Sequence, residues 1–214
     1  MSSFPKIKVD TLEALAVALA VFEKHNHRVD RFDKGINGNK EDIIDHFVNG
    51  SDLILDLAAA ELIKKTIDHR ITMNGISGKT TPDFLMNVYQ LLESEIIPIR
   101  LAGVMAWAPK LSADIIKTDE DHTELFRAGI NSKFIHPVGG KITTEFNLLK
   151  VRYLNTFNSY CHTGHDGHGN LITFFNKKKI EGCVTISAKI KLHRRDASLN
   201  DSNVTVLNYV KEIK

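Results

Sequence analysis

Cysteine is scarce: the 214 residues hold two, Cys161 and Cys183, and no CxxC spacing. Two thiols so placed make no disulfide framework, so a reducing cytoplasm is the expected compartment. Long hydrophobic runs are missing as well. The apolar stretch from Leu12 to Phe22 is interrupted by Glu13 and preceded by Asp10. It is too short and too charged to span a bilayer, and its flanks are wrong for a secretory signal. A soluble chain with no membrane partner is expected. Catalytic signatures are absent too. GISGKTT (75–81) resembles the end of a phosphate-binding loop, but that loop needs glycine where Met73 stands, and no strand precedes it. There is no HExxH and no paired-carboxylate spacing, and pairs such as Asp68-His69 and Asp121-His122 read as solvated surface. The expectation is a protein that is not an enzyme, with no cofactor.

One stretch invites a metal. CHTGHDGHG places Cys161, His162, His165 and His168 within eight residues, all of them zinc-ligand types. Cys161 and His162 are adjacent on a candidate strand, however, and adjacent strand residues point to opposite faces. The glycines and Asp166 already make sense as a hairpin turn. No metal is expected.

What is present is a run of strands from Lys141 to Ile213, with segments KITTEFNLLKVRYL, FNSYCHT, NLITFF, CVTISAKIKLH and NVTVLNYVKEI. In the fourth, Val184, Ile186, Ala188, Ile190 and Leu192 alternate with Thr185, Ser187, Lys189, Lys191 and His193. A period of two marks a half-buried strand. In the first, Ile142, Thr144, Phe146 and Leu148 share a face until Leu149, Val151 and Tyr153 take over. A one-residue slip of that kind is what a β-bulge produces, and it bends the strand. A long bent strand, a tight hairpin and two further strands suit a five-stranded OB-like β-barrel over 132–214. The link 176–182 is too short for the helix many such barrels insert there.

GHGNLITFF, EGCVTISAKIKLH and VTVLNYVKEI also resemble the C-terminal OB-like module of replication-associated proteins of tailed bacteriophages. The matching positions are Gly169, Asn170, Phe174, Phe175, Gly182, Lys191, His193, Thr205, Leu207, Val210 and Lys211. Upstream, LAGVMAWAPK and SKFIHPVGGKI are similar to that family's approach to its barrel. The resemblance covers roughly the second half of the chain. It implies phage origin, the host cytoplasm and single-stranded nucleic acid as ligand.

The first 125 residues read as helices. Asp10 and Thr11 precede LEALAVALAVFEKHNH, a capped helix, and a short helix ends at Asn49-Gly50. Ser51 or Asp52 is expected to cap the next, with Leu55, Ala58, Ala59, Leu62, Ile63 and Ile67 as its apolar stripe. Thr81 and Pro82 open another, a helical segment near 99–108 ends at Pro109, and the linker or domain boundary falls between the polar stretch 112–121 and Ser132. The fold class expected is α+β, a helical region (1–125) followed by the barrel.

Net charge is +2, but 132–214 holds 13 Lys and Arg against 6 Asp and Glu, while 1–131 holds 15 against 20. A basic barrel with 8 of the 16 aromatics suits an anionic partner whose bases can stack. The expected partner is single-stranded DNA, with RNA as a variant, bound without catalysis in replication or recombination. On the usual OB groove the expected contacts are Lys150, Arg152, Phe157, Tyr160, His162, Phe174, Phe175, Lys189, Lys191, Arg194 and Arg195. Alternation places only one of Phe174 and Phe175 outside, and leaves open which face of the second strand is inward. The alternative is a protein–protein adapter whose acidic helical half binds a replisome component, a polymerase, a transcription enzyme or a host factor.

Overall fold

Asp10 starts the helical part of the chain as a cap: its carboxylate accepts the Glu13 N–H at 2.9 Å, and α1 (Thr11–Lys24) follows. The computed structural model describes residues 7–33, 35–199 and 201–213. Its contacts divide the chain into two compact units, Met1–Lys117 and Thr118–Lys214.

In the first unit α1 buries Ala14, Leu15, Ala16, Val17, Ala18 and Val21. A helix apolar on most sides belongs at the centre of a core. Around it pack α2 (Asn39–Asn49), α3 (Leu57–Ile76), α4 (Asp83–Leu92) and α5 (Ala102–Met105). The short β1 (Lys8–Asp10) and β2 (Ile96–Pro98) pair antiparallel beside α1. A longer helix, α6 (Ala108–Gly129), runs through the division. Among the described residues no helix is long and apolar enough to cross a membrane.

Several helix limits differ from those expected. α3 begins at Leu57 because Asp56, not Ser51 or Asp52, makes the cap, accepting the Ala59 N–H at 2.8 Å. Its buried stripe is Ala60, Ile63 and Ile67, and Leu62 is exposed. Thr81 takes a side-chain hydrogen bond from Asn74 instead of capping, and Pro82 is the cap of α4. Pro109 opens α6, where its missing N–H costs nothing, and does not end a helix. The linker or domain boundary expected between the polar stretch 112–121 and Ser132 is not a loop at its start: 112–121 is helical throughout, and the division between the two units falls within it.

The second unit is a closed barrel of β3 (Lys141–Leu154), β4 (Ser159–His165), β5 (Leu171–Asn176), β6 (Cys183–Asp196) and β7 (Ser202–Ile213), in the order β3-β4-β5-β7-β6. Every pair is antiparallel except β5 with β7, which is the OB-like connectivity. The fold is α+β. β3 serves two neighbours, β6 with its first half and β4 with its second, and its register shifts between Leu148 and Lys150. That is the expected bulge. It leaves Leu149 packed against Leu125, Leu171, Leu199 and Val204 on one side of the wall.

Inside lie Phe146, Ile172, Phe174, Ile186, Ile190 and Leu207. Burying a ring such as Phe146 contributes about 1.5–3 kcal/mol. No helix forms between β5 and β6; Ile180 from that connection packs into this core in its place. The β4–β5 turn is held by Asp166, whose carboxylate accepts the His168 and Asn170 N–H groups at 2.9 and 2.8 Å, with Gly169 at φ +83. Asn170 in turn accepts the Lys133 N–H at 2.9 Å, tying the approach segment down.

Candidate nucleic-acid interface

The register of the barrel lines side chains into rows across its outer wall. Arg152 stands opposite Cys161, and Cys161 opposite Phe175. In the next row Lys150 faces Thr163, Thr163 faces Thr173, Thr173 faces Val206, and Val206 faces Leu192. Two cations on β3 thus flank a strip of small side chains on β4 and β5. The Thr163 and Thr173 hydroxyls are 3.3 Å apart, and Thr173 donates to the His162 carbonyl at 3.0 Å. Phe175 closes the upper row with 52% of its surface exposed. At the β3–β4 turn, Phe157 is 72% exposed beside Asn158, which takes the left-handed conformation at φ 45. Cations, two open rings and a low polar floor are the elements with which a barrel wall holds a phosphate backbone and stacks bases.

Two of the expected contacts are core residues. His162 and Phe174 are fully buried, their rings stacked with centroids 4.8 Å apart and planes 13° apart. The physical reason is β4's register: Tyr160 and His162 lie on the inward side, so Ser159, Cys161 and Thr163 face out. His162 has a structural task, its Nε2 accepting the Ile180 N–H at 3.0 Å. That bond leaves Nδ1 to carry the proton, buried and without a hydrogen-bond partner. Burial pushes the imidazole pKa down from its ordinary value, since a charged ring there would lose its water. Tyr160 is half-buried on the same inward set, against Tyr153 at 4.8 Å. The Tyr153 hydroxyl donates to the Asn158 side chain. Tyr160 therefore braces the turn that carries Phe157 and does not offer a free stacking face.

The basic residues divide among sectors. Lys150 and Arg152 join the strip on β4 and β5. Lys189 faces Lys141 across the β3–β6 seam, another part of the wall, and Lys191 sits at the register shift of β6. Arg194 and Arg195 were expected in the loop after the fourth strand. They lie within β6, which runs on to Asp196 by pairing with Val204, Asn203 and Ser202. Arg194 shares Leu192's side of β6 and donates to Asp196 at 3.2 Å, at the far flank of the strip. Of the lysine run, Lys179 pairs with Glu181, which raises its pKa and lowers that of Glu181.

The thiols differ in setting. Cys161 lies on the strip, while Cys183 donates to the Glu145 carboxylate at 2.8 Å, and that neighbouring carboxylate raises its pKa. Their strands are separate partners of β3 and do not pair with each other. Among the described residues no group of three or more His, Cys, Asp or Glu side chains is arranged to hold a metal ion. His165 Nδ1 contacts the Asp166 carbonyl, and His162 faces inward.

Cys161 and Thr163 were missed as part of the strip. Their alternation was visible, but only the inward anchoring of His162 on Ile180 decides which set faces out. No protein-family model, curated protein or solved structure matches this chain.

Proposed function

We propose that the barrel binds single-stranded DNA, without catalysis, on the wall formed by β3, β4 and β5. The observation that carries this reading is the pair of rows Arg152–Cys161–Phe175 and Lys150–Thr163–Thr173, cations on one flank and an open ring on the other. Lys150 and Arg152 contact phosphates, and Phe175 and Phe157 stack on bases at about 1–3 kcal/mol each. RNA offers the same phosphates and bases to these contacts and is the variant ligand. The phage-module resemblance of the barrel half supports a role in phage DNA replication or recombination. Two free thiols fit the reducing host cytoplasm.

The test is fluorescence anisotropy of a labelled single strand of about 20 nucleotides, longer than one OB site of about 4–16. Affinity is expected to fall linearly in log salt, by a slope of about 0.7 per phosphate contact. Arg152→Ala and Phe175→Ala are expected to weaken binding, and Lys189→Ala to leave it close to wild type. Undetectable binding at low salt overturns the reading.

A further inference from the structure

The first unit carries a cleft that the barrel's proposed role does not use. It has a volume of about 640 Å³ and lies between the start of α1, the middle of α3 and the turn that follows α4. Leu12, Leu15 and Leu92 line it, and Ile96 stands at its edge with 58% of its surface exposed. A volume of this size, lined by apolar and charged side chains together, has the character of a recognition site.

Its charge is one-sided. Asp10, Glu61, Asp68, Glu93 and Glu95 line the cleft against Lys64 and Lys65. Both lysines are already paired, Lys64 with Glu93 at 3.5 Å and Lys65 with Glu61 at 2.9 Å. Asp10 is occupied in capping α1, and the first N–H of α1 is taken by the Glu95 carbonyl at 3.0 Å. Asp68 and Glu95 have no ion-pair partner among the described residues. The carbonyl end of α4 points more negative charge to the same place. Tyr89 on α4 registers this field: Glu93 first, then burial, then Asp68 raise its phenol pKa.

We propose that this cleft is a docking site for a basic amphipathic helix of a partner protein. One apolar side chain of that helix packs on Leu12 and Ile96, above the buried Leu15 and Leu92, and its lysines or arginines meet Asp68 and Glu95. An apolar seat with uncompensated carboxylates selects such a helix by both terms, burial and charge. The inference is independent of nucleic-acid binding by the barrel.

The probe is a synthetic helix-forming peptide of leucine and lysine at amphipathic spacing, carrying a fluorophore and a benzophenone in place of one leucine. Added to the full chain, it is expected to bind and, on irradiation, to crosslink to peptides bearing Leu12, Leu92 or Ile96. A counterpart with glutamate for lysine is expected not to bind. Asp68→Asn with Glu95→Gln is expected to weaken binding by several-fold, and Asp68→Lys with Glu95→Lys by about tenfold or more, since like charges repel across an interface. Oligonucleotide binding by the same variants stays at the wild-type level, which also reports that the chain is folded. Crosslinks that land on the barrel, or equal binding by the glutamate peptide, overturn the proposal. Self-association that the lysine substitutions abolish, with no peptide crosslink, assigns the cleft to a second copy and overturns it as well.

Discussion

Phe174 and Phe175 are neighbours in sequence with opposite environments, and their substitution separates fold from binding. Phe174 is stacked on His162 inside the barrel, so Phe174→Ala is expected to cost about 3–5 kcal/mol of stability in urea unfolding. Phe175→Ala is expected to change stability by no more than about 0.5 kcal/mol and to remove about 1–3 kcal/mol of oligonucleotide affinity. His162 adds a pH dependence. Burial holds its folded pKa below the ordinary imidazole value of about 6.5. The unfolded chain takes up a proton near that pH which the barrel refuses. This contribution is therefore complete above that pH and is lost as pH falls through it, by up to about 1.4 kcal/mol per pH unit. Urea unfolding of wild type and His162→Phe at about pH 7.5 and about pH 5.5 should show the difference, the variant lacking this component. His162→Phe also strands the Ile180 N–H, at about 1–3 kcal/mol at either pH.

The bend of β3 depends on a close approach to β4. A Cβ added at Gly164 would lie 2.1 Å from the Asn147 carbonyl oxygen and 2.8 Å from the Phe146 ring. Backbone cannot yield as a side chain end can. Gly164→Ala is expected to lower stability by about 3 kcal/mol or more, at the upper end of overpacking costs, seen as a drop in melting temperature. Serine-for-threonine at 163, on the open face of the same strand, serves as a nearly neutral control. In the helical unit the Asp56 cap is a smaller device: Asp56→Ala should cost about 1 kcal/mol by the same measurement.

Across the whole chain, the acidic balance of 1–131 and the basic balance of 132–214 now have separate places to act. Five carboxylates of the first unit line its cleft, while in the barrel Lys150 and Arg152 stand on the β3–β4–β5 wall and Lys141 and Lys189 face each other across the β3–β6 seam. Their separation is measurable. If Lys150 and Arg152 each meet one phosphate, Lys150→Ala and Arg152→Ala should each reduce the log-affinity against log-salt slope by about 0.7, while Lys189→Ala leaves it unchanged. An equal loss of slope for Lys189→Ala would extend the path to the seam.

Local pattern was enough for much of this architecture. Alternation over 184–193 marked β6, the phase slip at Leu148 and Leu149 located the bulge, and the Gly-Asp-Asn turn joined β4 to β5. These are near-neighbour effects, carried by side-chain sequence within a few residues. Helix starts were less legible, because Ser51, Asp52 and Asp56 are all able caps and packing of Ile63 and Ile67 chose among them. Nor does alternation say which face is inside. That was decided by contacts distant in sequence: Ile180 bonding to His162 turned Cys161 and Thr163 outward, and pairing with β7 drew Arg194 and Arg195 into a strand. The cleft between α1, α3 and α4 has no linear signature at all, since its walls come from segments that meet only when the core of the first unit closes.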